Sequence, residues 1–145
     1  MTRAQFPMVV HVLLQRRVPD PEVFLLRRAG TGFMDGYFAL PGGHVEAGEL
    51  PSEAACRECL EETGVRPLDL QPLCAMPYRS GRHIGTNLVF VAAVFDGTPT
   101  LAEPLAADLA LWAPQTSLPE PRAPWIASVL GMQGSADWYA EFDSS

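Results

Sequence analysis

Glu58, Glu61 and Glu62 are spaced so that a helix would bring all three carboxylates to one side. Pro51 suits a first helical turn, and Gly64 suits a helix end. At about 100° per residue, the three glutamates fall within an arc of roughly 100°. Ala55, Cys56, Cys59, Leu60 and Thr63 fall on the other side. The spacing predicts a helix with one face packed on a core and the other acidic. Such a face is unfavourable by itself. Like charges three and four residues apart repel by roughly a few tenths of a kcal/mol per pair, and negative charge is disfavoured towards a helix C-terminus. A divalent cation would offset both effects, and hard carboxylate oxygens suit Mg²⁺ or Mn²⁺. A solvated acidic helix face is the simpler alternative.

The surrounding residues narrow that choice. Gly43, Glu49, Arg57, Glu58, Glu61, Glu62, Gly64 and Val65 stand at the spacing G-x5-E-x7-R-E-U-x-E-E-x-G-U, where U is a bulky aliphatic residue. Residues 43–65 therefore resemble the Nudix box, and the lead-in Ala39-Leu40-Pro41-Gly42-Gly43 resembles the loop before it. Cys59 departs from the aliphatic pattern, but a buried cysteine behaves as a small hydrophobe.

A chain of 145 residues fits one domain, residues 1–145. Its 48% hydrophobic and 19% charged residues are ordinary for a globular protein. A net charge of −7 argues against a nonspecific nucleic-acid partner, which would need phosphate neutralisation. No apolar run approaches the roughly 20 residues that span a bilayer, so no membrane partner is expected. Three cysteines make no even disulfide framework, and the lead-in Met1-Thr2-Arg3 carries no secretory signal. A cytoplasmic location follows, with a homodimer left open.

Apolar runs at residues 8–14, 22–28, 37–40, 87–95 and 109–112 read as strands. Residues 15–21, 29–36 and 79–85 read as a turn and two loops. Residues 68–78 read as extended but broken by Pro72 and Pro77. Asp96-Gly97 signals a turn, residues 123–130 a second helix, and Trp138, Tyr139 and Phe142 a docked tail. This order suggests an α/β (α+β) fold with a mixed sheet between helices. The resemblance implies the same thing, a Nudix-type α/β/α sandwich.

The resemblance further implies hydrolysis of a nucleoside diphosphate linked to another group, with Mg²⁺ or Mn²⁺ as cofactor and a small nucleotide as partner. Carried over by position, Glu58, Glu61 and Glu62 are metal and base residues, and the Gly43 carbonyl is a further ligand. Glu61 is slightly preferred to Glu58 as the base. Arg57 would hold a glutamate, and Glu49 would pair with Arg57. Many such enzymes recruit one more acid beyond the box. Glu103 is the first candidate and Asp108 the second, ahead of Asp96 in its turn.

Arg79, Arg82 and His83 could contact phosphate, and Tyr37 could stack a base. His44 is either a supporting residue or a bystander, and His11 a core histidine. Cys56 and Cys59 form a C-x-x-C, but both face the apolar side, so packing is favoured over zinc. Family markers leave a MutT-like enzyme acting on nucleoside triphosphates as the default. Ser80 stands where ADP-ribose enzymes often carry proline, and Arg82 where diadenosine polyphosphate enzymes often carry tyrosine. The alternative is a Nudix domain that binds nucleotides for regulation, with little turnover.

Overall fold

A computed structural model describes residues 2–17 and 19–144. Met1, Val18 and Ser145, expected in the lead-in, the 15–21 turn and the tail, lie outside the described residues. The elements in chain order are β1 (Met8–Arg17), β2 (Pro21–Arg28), β3 (Phe38–Ala39), β4 (Gly42–His44), α1 (Pro51–Thr63), β5 (Arg66–Pro67), β6 (Leu70–Ser80), β7 (His83–Ala92), β8 (Phe95–Asp96), β9 (Ala107–Pro114), α2 (Ile126–Met132) and β10 (Phe142–Asp143). The main sheet runs β10-β6-β7-β1-β2-β3, with β4 beside β1 and β9 beside β2. β1 is parallel to β7 and antiparallel to β2 and β4, so the sheet is mixed, as expected.

Strand alternation splits the core in two. Val10, Val12 and Leu14 of β1 face Ala54, Ala55 and Cys59 of α1. Leu13 faces the other way, towards Ile126, Val129 and Met132 of α2. The sheet thus lies between the two helices.

Several boundaries differ from the sequence reading. β6 runs through Pro72 and Pro77 without a break. On its outer edge the short β10 and one bridge to Tyr139 pair with Tyr78, Arg79 and Ala75, so neither Pro72 nor Pro77 is itself a paired residue there. A register shift between Pro72 and Cys74 absorbs part of the irregularity. The expected 79–85 loop is a tight turn, because β6 continues to Ser80 and β7 starts at His83. Gly81, at φ 60°, permits that two-residue reversal. The expected 87–95 strand starts earlier and stops at Ala92, while Phe95–Asp96 pairs with β5 instead. The second helix is displaced to Ile126–Met132. The tail does dock: Ala75 donates to the Trp138 carbonyl and Phe142 packs on the core, although Trp138 and Tyr139 remain exposed.

His11 projects from β1 towards α2. Its Nε2 lies 2.8 Å from the Asn87 amide oxygen, its ring is 4.4 Å from that of Trp125, and its buried Nδ1 has no partner. Burial lowers its pKa to about 4, partly opposed by the Asn87 bond. The folded state therefore favours the neutral ring. Its contribution is complete above the unfolded value of 6.5 and is lost as pH falls from there towards 4. The loss should reach about 3 kcal/mol at roughly 1.4 kcal/mol per pKa unit. Denaturant midpoints at pH 7.5 and 4.5 should converge less in the parent than in His11→Gln. Equal pH slopes would remove His11 as the cause.

Candidate active site

α1 and β4 build the site. Pro51 opens α1, and Glu53 accepts a hydrogen bond from the Leu50 N–H at 2.8 Å. Gly64 closes it at φ 76°, donating to the Leu60 carbonyl at 2.9 Å. The buried face is Ala54, Ala55, Cys59 and Thr63, with Cys56 half-buried. Leu60, expected on that face, is 45% exposed, because the helix is rotated to turn Glu62 inwards.

That rotation sets the three glutamates apart. Glu62 accepts the Gly42 N–H at 3.0 Å. Glu58, one turn earlier, lies against Gly43, where an added Cβ would stand 2.5 Å from its carboxylate carbon. A Cβ on Gly42 would overlap the Val10 carbonyl. The two glycines therefore let β4 approach both β1 and the carboxylates. Glu61 points outwards, with its side chain 51% exposed.

Burial raises the Glu62 pKa. The Gly42 N–H opposes this, while nearby Glu58 and Glu103 reinforce it. Burial also raises Glu58, opposed by Arg57.

Arg57 ties the surrounding loop to α1. It donates to both Glu49 oxygens (Nε at 2.7 Å, Nη2 at 3.0 Å), to Glu58 at 2.8 Å, to the His44 carbonyl at 3.1 Å and to Glu61 at 3.3 Å. Arg57 holds the Glu49 carboxyl down at about 2. The His44 carbonyl and the Gly42 N–H were not marked by the sequence, since backbone groups leave only the Gly-Gly pair as a trace.

The remaining candidates divide. Glu103 sits on a loop tied to the end of α1, with Thr100 donating to the Thr63 carbonyl at 2.9 Å and Ala102 to that of Glu62 at 3.1 Å. Its charge acts on Glu62. Asp108 instead pairs with Arg27 at 2.7 Å, and Asp96 lies in β8. Arg79 pairs with Asp143 of the docked tail. Arg82 and His83 line a cleft together with His44. Tyr37 is exposed ahead of β3, with its backbone held by Met34 and Arg28.

Among the described residues, no three His, Cys, Asp or Glu side chains converge at metal-holding distance. The donors nevertheless suit a hard cation. Glu58 and Glu62 are oxygen donors whose burial disfavours their charge, and Mg²⁺ keeps several of its own waters.

Cys56, Cys59 and Cys74 are all free thiols. Cys59 is fully buried, and burial pushes its thiol up to about 11. A Cys56→Ala, Cys59→Val variant should keep parental turnover and metal dependence. Loss of bound zinc or of a thiol-dependent activity, by metal analysis and alkylation, would assign the pair a chemical role.

A family model for the NUDIX domain matches residues 6–130. An ADP-ribose pyrophosphatase from Methanocaldococcus jannaschii is 40% identical over 80 residues, covering 54% of this chain and 47% of that protein. An 8-oxo-dGTP diphosphatase from Escherichia coli is 44% identical over 84 residues, covering 57% of this chain and 64% of that protein. The matched region is thus less than two thirds of either relative. A MutT NUDIX hydrolase structure from Burkholderia pseudomallei superposes with a TM-score of 0.81 at 24% identity, over 89% of this chain and 98% of that one. That likeness concerns the fold. The family model reaches from before β1 into α2 and takes in the whole of α1 and β4, so the chain belongs to the NUDIX family.

Proposed function

We propose that the protein is a Mg²⁺- or Mn²⁺-dependent pyrophosphohydrolase that cleaves a nucleoside triphosphate to a monophosphate and pyrophosphate. The observation that carries this reading is the Glu58–Glu62 carboxyl pair packed on Gly42–Gly43 and braced by Arg57. Glu58, Glu61, Glu62 and the Gly43 carbonyl would hold the cation, with Glu103 as the additional carboxylate. When bound, the cation neutralises phosphate oxygens and acidifies the attacking water. The water oxygen bonds to phosphorus, the anhydride P–O bond breaks, and the leaving oxygen departs with the electron pair. Glu61, the exposed member of the Glu58, Glu61 and Glu62 trio on α1, takes the water proton as general base. Arg57 acts as a positioning residue, fixing Glu58 against the loop. The free thiols support a reducing, cytoplasmic setting.

The likeness to an ADP-ribose pyrophosphatase makes ADP-ribose the second substrate to test. With Mg²⁺ or Mn²⁺ present, products from the nucleoside triphosphates and from ADP-ribose should be separated and identified. Monophosphate and pyrophosphate from a triphosphate is the expected result. Orthophosphate release would contradict the assigned bond, and cleavage of ADP-ribose alone would replace the substrate.

A further inference from the structure

A second polar region lies at the His44 end of β4. Residues from the N-terminal segment, the β6–β7 hairpin and the end of β4 enclose an open cleft of about 450 Å³. Its polar walls are Arg82, His83 and His44, and Tyr78 and Phe6 form its aromatic side. Among the described residues no carboxylate lines it, although the chain has 17 acidic and 10 basic residues. Two of the three histidines are here. Among the described residues, Arg82 makes no ion pair, whereas Arg16, Arg27, Arg57, Arg79 and Arg122 each do.

The shape depends on Gly85. A Cβ there would stand 2.5 Å from the Tyr78 hydroxyl and 2.9 Å from the Pro7 carbonyl, so any side chain would force the cleft wall to shift. The cleft also touches β4. His44 follows Gly43 directly, and its carbonyl accepts from Arg57 while its side chain faces the cleft. β4 thus meets the α1 carboxylates through Gly42 and Gly43 and the Arg82 cleft through His44.

We infer that this cleft is an anion subsite for the phosphates of the substrate remote from the nucleoside, the part released as pyrophosphate. The inference rests on the triphosphate reading above and adds the residues that recognise that end. A guanidinium can grip phosphate through two parallel N–H bonds, which a lysine cannot reproduce. The cleft carries direct positive charge, whereas the glutamates can hold phosphate only through a cation.

The test is calorimetric titration of the parent, Arg82→Ala and Arg82→Lys with magnesium pyrophosphate, alongside KM for a nucleoside triphosphate. Losing one charged, hydrogen-bonded contact should weaken pyrophosphate about tenfold or more. KM should rise by a similar factor, and lysine should recover part of both. Unchanged pyrophosphate affinity in Arg82→Ala would overturn the subsite. So would a raised KM with unchanged pyrophosphate affinity, which would place the nucleoside end in the cleft. Because pyrophosphate binding needs no turnover, a parent that binds it through Arg82 yet cleaves no triphosphate would sink the substrate reading and leave the anion subsite standing.

Discussion

Replacing Glu62 with Gln should lower turnover by about 10²-fold or more, since a carboxylate that would hold the cation loses its charge, while the melting temperature stays level or rises. The two expectations have one source. The Gly42 N–H can still donate to a Gln oxygen, so the link between α1 and β4 survives. What disappears is a carboxyl whose charge is opposed by burial and by Glu58. Relief of like-charge repulsion one turn apart is worth a few tenths of a kcal/mol at roughly helix-surface strength. A residue kept for packing would show the reverse pattern, with stability falling and turnover holding. Steady-state kinetics with thermal melts of the same preparation separate the two.

Gly43→Ala should have the next largest effect. The new methyl would stand 2.5 Å from the Glu58 carboxylate carbon and 2.5 to 2.8 Å from its oxygens. Glu58 is the far end of a flexible side chain, so it can swing away and the fold survives. Its displacement from the Gly43–Arg57 cradle should cost about 10²-fold in turnover, the scale of a misplacement near 1 Å at a reacting centre. Gly42→Ala is the contrasting control. There the methyl overlaps the backbone carbonyl of Val10, which cannot move without parting β4 from β1. That variant should lose about 1–3 kcal/mol, the usual cost of forced overpacking. Equal stability losses in both variants would mean that Glu58 is not free to yield. Equal turnover in parent and Gly43→Ala would mean that Glu58 need not sit at Gly43.

The helix carrying the box was legible because its residues state local rules. Pro51 at the start, Gly64 in the left-handed conformation at the end and four small or apolar buried residues agree on one element. The mixed sheet between helices was legible for a similar reason, since Val10, Val12 and Leu14 alternate with Leu13 across a strand buried on both faces. The rotation of α1 was less legible. Leu60 and Glu62 are two residues apart, and periodicity alone cannot say that a carboxylate turns towards a glycine loop while a leucine turns to solvent. The reversal at Gly81–Arg82 was hidden because glycine, arginine and histidine together resemble a long loop as much as a tight turn. The partners of Asp108 and Arg79 are long-range, on β2 and β10, and no local pattern records them. Glu103 differs because the tether from its loop to the end of α1 uses backbone groups at Thr100 and Ala102.

The most direct measurement is Mn²⁺ binding and turnover in the parent and in the Glu58→Gln, Glu62→Gln double variant, each with and without excess chelator. The parent should bind Mn²⁺ and cleave nucleoside triphosphate, losing all turnover in chelator. The double variant should remain folded, bind Mn²⁺ at least tenfold more weakly by roughly the loss of two charged ligands, and show almost no turnover. Full activity in chelator, or parental Mn²⁺ affinity in the double variant, would contradict the assignment of this carboxyl pair as the cation-holding centre.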